Sequence, residues 1–307
     1  MNKRQDDGQC APDERLMVST PELDIEVLQW NARASKTMVL AHGWPDSADG
    51  WGAVAKQIAH AGWRVLAPSL RGFGSTRFRH ATSPRSGQLA ALGRDMLAFI
   101  QAMQLEKPVL VGHDWGARAV ANAVGLAPSI ASHLVLLSIG YGTNHPDQAL
   151  GLEQAKRYWY HWYMATARGE QTVRDNGKAF ARIMWDTWSP AGWYTEQAFE
   201  EAARAFENPD WADITLHSYR HRWANAEGFT EYDLEEKKLY PAPQIGVPTL
   251  IIHGQEDYCN HPDVSAGKET YFEGRYERVL LEGVGHFPQR EDPDRVAREI
   301  MAFCQTA

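Results

Sequence analysis

Cysteine is scarce in this chain of 307 residues: three thiols, Cys10, Cys259 and Cys304, stand far apart. They form no metal-ligand spacing and no even set, so a disulfide scaffold and a zinc finger are both excluded, and reduced, space-filling thiols are expected. Long apolar runs are missing as well. Nothing approaches the roughly 18 consecutive apolar residues of a membrane span, and Met1-Asn2-Lys3-Arg4-Gln5-Asp6-Asp7 carries acids where a secretory signal needs an apolar centre. The expectation is a soluble, cytoplasmic protein with no membrane partner. Basic blocks are the third absence. With 31 Lys and Arg against 39 Asp and Glu the net charge is −8, and no cationic stripe could follow a phosphate backbone, so nucleic acid is excluded as a partner.

What remains is a globular composition, 44% hydrophobic and 23% charged, in a chain long enough to hide roughly three quarters of its unfolded surface. Residues 1–20 are polar, without a period of 2 or 3.6, and read as a flexible N-terminal extension. After them, short runs of Val, Leu and Ile at 24–30, 37–41, 63–67, 108–111 and 134–137 alternate with amphipathic stretches. Such alternation predicts buried parallel strands joined by crossover helices, an α/β class. The gap from Trp30 to Thr37 is of hairpin length, which predicts an antiparallel first pair. The pattern breaks near Gly142 and resumes at 247–252 and 278–281, closing with an amphipathic segment at 293–303. A core of 21–141 and 244–307 is thus expected around a helical insert, 142–243. That insert holds seven of the twelve Trp and seven of the eleven Tyr, enough to fill its own interior and to line an apolar pocket where it closes on the sheet.

The sharpest motif is Val109-Leu110-Val111-Gly112-His113-Asp114-Trp115-Gly116-Ala117. An apolar strand, a tight Gly-x-Asp-x-Gly turn and an Ala-rich helix give the spacing of a nucleophile elbow with Asp114 at its tip. The glycines permit close backbone approach, and the turn leaves the middle side chain at the carboxyl edge of the sheet. Asp257 and His286 each follow a later predicted strand, in the order nucleophile, acid, histidine. Glu256 is a substitute candidate for the acid. In Leu40-Ala41-His42-Gly43-Trp44-Pro45, also at a strand end, the backbone N–H of Trp44 pairs with that of Trp115 to form an oxyanion hole. His42 and His113 read as hydrogen-bonded packing residues.

Together these residues resemble the α/β-hydrolase superfamily, from about residue 20 to the end. The resemblance implies a mostly parallel twisted sheet flanked by helices, with a helical cap inserted. A carboxylate nucleophile attacks an electrophilic sp³ carbon and becomes an ester that water must cleave. The chain therefore looks like the epoxide hydrolase and dehalogenase branches. In epoxide hydrolases two cap tyrosines donate to the opening oxygen, and Tyr160, in Arg157-Tyr158-Trp159-Tyr160-His161-Trp162-Tyr163, and Tyr219, in Leu216-His217-Ser218-Tyr219-Arg220, match them. Tyr158 and Tyr163 are neighbouring candidates.

The rival resemblance is to haloacetate dehalogenases, whose halide pocket is similar to His161, Trp162 and Tyr219, while Trp115 matches a halide-binding position of haloalkane dehalogenases. Of the two carboxylate-binding arginines that haloacetate dehalogenases carry, Arg118 matches the second, and Trp115 stands at the first. Ser138-Ile139-Gly140 occupies the place of their acid, and Ser69 replaces an Asp usual in the superfamily. The resemblance implies hydrolysis of small apolar epoxides to vicinal diols through an ester on Asp114, cleared by water that His286 and Asp257 activate, with His161, Trp162 and Trp115 lining the substrate pocket. Hydrolytic dehalogenation with the same triad is the alternative. No cofactor or metal is implied, and the chain is expected to be a monomer or homodimer.

Overall fold

The computed structural model describes residues 10–143, 145 and 147–305. Its nine strands are β1 (Glu14–Ser19), β2 (Leu23–Trp30), β3 (Thr37–Ala41), β4 (Arg64–Pro68), β5 (Arg77–Phe78), β6 (Val109–His113), β7 (His133–Leu137), β8 (Thr249–Gly254) and β9 (Tyr276–Leu281). They form one sheet in the order β1-β2-β4-β3-β6-β7-β8-β9, with β5 added to β2. From β4 to β9 the pairing is parallel throughout. All five residues of β6 are buried, as a central strand covered on both faces requires. One face packs Met96 and Phe99 of α2 (Leu89–Ala102) and Val120 and Val124 of α3 (Trp115–Leu126) onto Leu110, Leu134 and Ile251. The opposite face packs Val54 and Ile58 of α1 (Gly52–His60), with Ile300 and Phe303 of the C-terminal helix, onto Leu40, Val111 and Ile252.

Between β7 and β8 the chain leaves the sheet and builds α4 (Leu152–Arg157), α5 (Trp159–Met164), α6 (Ala167–Thr187), α7 (Glu196–Ala203), α8 (Trp211–His221) and α9 (Asp233–Leu239). After β9 come α10 (Pro288–Glu291) and α11 (Pro293–Gln305). Thr166 and Thr195 cap α6 and α7, each hydroxyl accepting a backbone N–H of the first turn. The insert's apolar side chains, among them Phe180, Met184, Trp185 and Ile214, merge into one cluster with Trp44, Trp115 and Phe287 from loops and helix starts at the sheet's carboxyl edge. A roof of aromatic rings thus lies over the strand ends that carry Asp114. Among the described residues no helix is long and apolar enough to cross a membrane.

Two expectations need correction. Glu14–Ser19, read as part of a flexible extension spanning 1–20, is instead a strand paired with β2 from Glu14↔Gln29 to Ser19↔Asp24; the N-terminal part of that reading, 1–9, lies outside the described residues. In this edge strand the consecutive apolar residues Leu16, Met17 and Val18 hide the alternation, since Met17 points to solvent at 56% exposure. Nor does β2 pair with β3: besides β1 and the short β5, its antiparallel partner is β4, through Trp30↔Val65 and Val27↔Pro68, and β4 then pairs in parallel with β3. The six residues 31–36 reach roughly 20 Å when extended, and skipping one strand needs only about 10 Å. A short gap therefore does not distinguish a neighbouring strand from the next but one.

Candidate active site

Asp114 occupies the junction of β6 and α3 with φ 47° and ψ −112°, a conformation that a non-glycine residue holds only under constraint from its surroundings. Close packing supplies the constraint. A Cβ on Gly112 would lie 2.4 Å from the Gly116 backbone, and one on Gly116 would lie 2.1 Å from the Ala41 carbonyl oxygen. Only glycine fits there, and the turn it allows holds the Asp114 carboxylate up at the strand ends, 6% exposed. The Trp44 N–H donates to Asp114 Oδ1 at 2.9 Å. Gly43 makes that approach feasible, because a Cβ there would meet Asp114 Cβ at 2.6 Å. Trp115 opens α3, so its N–H belongs to the first turn, which has no acceptor within the helix.

Opposite this carboxylate stands His286, whose Nδ1–H donates to Asp257 Oδ2 at 2.9 Å. The other oxygen, Oδ1, accepts the backbone N–H groups of Cys259 and Asn260, both at 2.8 Å. His286 Nε2 lies 3.9 Å from Asp114 Oδ2, too far for a hydrogen bond, and has no other partner among the described residues. Burial disfavours charge on both members of the pair, yet their mutual attraction prevails. His286, helped by His253, holds Asp257 below the usual carboxylate range, while Asp257 and then Asp114 raise His286 above 6.5.

The imidazole is fixed from behind. Its backbone N–H donates to Ser189 Oγ at 2.9 Å, and its carbonyl accepts from His113 Nε2 at 2.6 Å. Burial, then the neighbouring His286, brings His113 down to about 4, so it is neutral and serves as a donor. His42 is likewise a structural joint. Its Nε2 accepts the Leu70 N–H at 3.0 Å, leaving Nδ1–H for the Gly43 carbonyl at 3.0 Å.

Three donors from the insert face the site. Tyr219 Oη accepts Trp115 Nε1–H at 3.1 Å and so keeps its own proton to give. Tyr160 Oη contacts Cys259 Sγ at 3.4 Å, and its ring lies 5.3 Å from that of Tyr219, both against Trp44. Burial above all, with the Asp114 charge contributing, pushes both phenols well up, so each is a protonated donor at neutral pH. His161 is the third. Its Nδ1 accepts Trp223 Nε1–H at 2.9 Å, and burial, then Arg222 and Arg118, holds it well below 6.5. The neutral ring therefore carries its proton on Nε2, which is buried without a partner among the described residues and sits in a ring 4.5 Å from Tyr219.

The sequence model of a family described as the alpha/beta hydrolase fold matches residues 36–293. The chain belongs to the α/β-hydrolase fold family. Epoxide hydrolase A of Mycobacterium tuberculosis is 26% identical to it, over 95% of this chain and 97% of that protein. A Klebsiella pneumoniae protein of known crystal structure, provisionally assigned as an epoxide hydrolase, is 33% identical with a TM-score of 0.90, over 97% of this chain and 99% of that one. Potato epoxide hydrolase I shares the fold, with a TM-score of 0.77 at 22% identity over 96% of this chain and 99% of that one.

Within this α/β-hydrolase the neighbouring candidates fall away. Tyr158 donates to Asn260 Oδ1 at 2.6 Å, Tyr163 is paired with Thr172 Oγ1 at 2.8 Å, and the Glu256 carboxylate accepts from Tyr258 at 3.3 Å. Trp162 is not brought to the pocket either. Its indole N–H donates to the Ala155 carbonyl at 2.8 Å and the ring is 37% exposed, because at one residue past His161 it turns to the outer face of α5. Sequence reasoning passed over two residues. Trp188 packs against His286 at 4.9 Å and Tyr160 at 5.0 Å, and Cys259, expected as inert filler, meets Tyr160. Only the position of Cys259, two residues after Asp257, could have signalled it. Asp257, Cys259 and His286 could between them present ligand atoms to a metal, but the carboxylate and imidazole are already bonded to each other.

Proposed function

We propose that this α/β-hydrolase opens epoxides to vicinal diols through a covalent ester on Asp114. The observation that carries the reading is a carboxylate at the elbow with protonated phenols, Tyr160 and Tyr219, buried in the roof near it. Asp114 attacks a ring carbon, the ring C–O bond breaks, and the departing oxygen takes a proton from Tyr219 while Tyr160 holds it by a hydrogen bond. His161 Nε2–H is a third donor on the same side. His286 Nε2 then accepts a proton from water, whose oxygen attacks the carbonyl carbon of the ester. The N–H groups of Trp44 and Trp115 hold the resulting oxyanion; its collapse breaks the ester C–O bond, the departing alkoxide takes the proton of the newly added hydroxyl to give the diol and leave Asp114 a carboxylate, and the proton on His286 returns through water to the Tyr219 phenolate. Asp257 keeps the His286 imidazole oriented and stabilises its charged form. Residues 142–243 act in this reading as a cap over the core of 21–141 and 244–307. Side chains and water carry every step.

Hydrolytic dehalogenation of haloacetates or haloalkanes would use the same triad, with His161 Nε2–H as a free halide donor. The other groups support it less: Trp115 Nε1–H is given to Tyr219 and Trp162 Nε1–H to Ala155. The deciding experiment follows diol and halide in parallel from styrene oxide, fluoroacetate, chloroacetate and a bromoalkane. Diol without halide is expected. In the His286→Gln enzyme the epoxide should add its own mass to the protein, an adduct that Asp114→Ala does not form; halide release with no diol would establish the alternative.

A further inference from the structure

Three successive backbone N–H groups around His286 are gathered by two side chains that the ester route does not itself use. The Gly285 N–H donates to Glu291 Oε2 at 2.7 Å, the Phe287 N–H to Glu291 Oε1 at 2.9 Å, and the His286 N–H to Ser189 Oγ at 2.9 Å. Ser189 closes the set by donating its own proton to Glu291 Oε1 at 2.7 Å. Hydrogen bonds to a carboxylate are roughly twice as strong as neutral ones, so the loop that carries His286 is wrapped around a firm acceptor. The fit is close: a Cβ at Gly285 would overlap Ser189 Oγ.

Ser189 does not belong to that loop, nor to the sheet. It stands in the insert, just past the end of α6, and is buried. Trp188 before it is engaged with the same pair of loops. Its carbonyl accepts the N–H of Tyr258, the residue after Asp257, at 3.1 Å, and its ring packs on that of His286 at 4.9 Å. One dipeptide of the insert is thus bonded both to the loop after β8, which carries Asp257, and to the loop after β9, which carries His286. The hydrogen bond between the two side chains, 2.9 Å from Nδ1 to Oδ2, depends on how both loops are held. Burial opposes charge on His286, but Asp257, Asp114 and then Glu291 favour it.

We propose that Ser189 and Glu291 are positioning residues for His286, and that the insert, through Ser189, governs the step in which water cleaves the ester while leaving formation of the ester untouched. The inference rests on the ester route for the step it governs. Attack by Asp114 makes no demand on His286. Cleavage does, because the imidazole must aim a water at the ester carbonyl carbon, and a misplacement of about 1 Å in such an arrangement costs on the order of 10²-fold. The roof that brings Tyr160 and Tyr219 over the nucleophile thereby also sets the base on the opposite side.

Ser189→Ala removes the acceptor of the His286 N–H, and Glu291→Gln turns an amide NH2 toward one of the loop's donors. Rapid-quench intact-mass analysis of the full chain with styrene oxide should show the ester forming at the wild-type rate in both variants, which also shows them folded, and decaying about 10–100-fold more slowly. Steady-state kcat and KM should both fall. Because the two substitutions break one network, the double variant should lose less than the product of the single losses. A second readout needs no substrate: the proton resonance of His286 Nδ1–H, identified by its loss in His286→Gln, should shift and exchange faster with solvent in Ser189→Ala. A merely structural bond would lower the Tm of Ser189→Ala and leave the ester lifetime and the resonance as in wild type, and that result overturns the proposal. Ester formation slowed as much as its cleavage overturns it too. If styrene oxide gives no adduct but a bromoalkane does, and that ester is long-lived in Ser189→Ala, the positioning role stands and the epoxide reading falls. If the epoxide ester is cleared as fast in Ser189→Ala as in wild type, the epoxide reading stands and the positioning role falls.

Discussion

In the proposed mechanism His286 acts only as a neutral base, and its surroundings favour the charged form. Burial lowers its pKa, but Asp257, and then Asp114, outweigh burial and raise it above 6.5. Turnover should therefore climb as pH rises through this raised value. Asp257→Asn removes the attraction, so the acid limb of the kcat profile should move to lower pH while kcat falls about 10³–10⁴-fold, as when a triad acid is neutralised; a pH series by stopped assay reads both effects. The same shift has a thermodynamic sign. The folded protein binds this proton more tightly than the unfolded chain, so the contribution to stability is full below 6.5 and is lost as pH rises through the raised value. At this scale the elbow was legible in the sequence, because its Gly-x-Asp-x-Gly spacing is local: Gly112 is dictated by contact with the Gly116 backbone, while Gly116 answers to the Ala41 carbonyl of the neighbouring strand. Which insert group faces the nucleophile was less so. Tyr160, His161 and Trp162 are consecutive, and their roles depend on where α5 lies against α8 and β8, a matter of packing that one sequence does not encode locally.

Two short elements hold the loop that carries Trp44 and the loop that carries His286 in register. The loop after β3 carries Trp44 and Asp46, and α10 directly follows His286. Asp46 Oδ1 accepts Arg290 Nη2–H at 2.7 Å and its Oδ2 accepts Gln289 Nε2–H at 3.1 Å, all from buried side chains or nearly so. Burial would raise the Asp46 pKa, but Arg290, aided by His113 and the Ser47 N–H, lowers it, so the pair stays ionised. Asp46→Asn leaves Arg290 buried and uncompensated, at a cost of about 3–5 kcal/mol. A urea titration should show that loss, together with a lower kcat, since the Trp44 N–H and His286 would no longer be held at a fixed separation. An unchanged midpoint would show that the joint is ornamental. The crossover strands were legible from their apolar runs, buried on both faces in the middle of the sheet and only partly buried in β9 at its edge. The edge was not: β1 is half exposed and its alternation is masked, and the pairing of β2 with β4 follows from the α1 crossover, which places β4 between β2 and β3.

Across the whole molecule, insert and sheet share one interior. Trp185 of α6 is fully buried, donates its indole N–H to the Pro45 carbonyl at 2.7 Å and packs on Phe287 at 5.4 Å, so a residue of the roof bonds the loop that carries Trp44 and touches the residue after His286. A cap that merely rested on the core would unfold first and abolish activity while the sheet persisted. Joined through Trp44, Trp115, Trp185 and Phe287, the two should instead melt together. In urea, loss of activity, of tryptophan fluorescence and of far-ultraviolet circular dichroism are expected to coincide at one midpoint. Trp185→Ala opens a cavity at the seam and should cost about 3–5 kcal/mol, moving all three curves equally. Curves that separate, with activity leaving first, would mean that the insert is an independent unit and that the shared aromatic cluster does not couple it to the sheet.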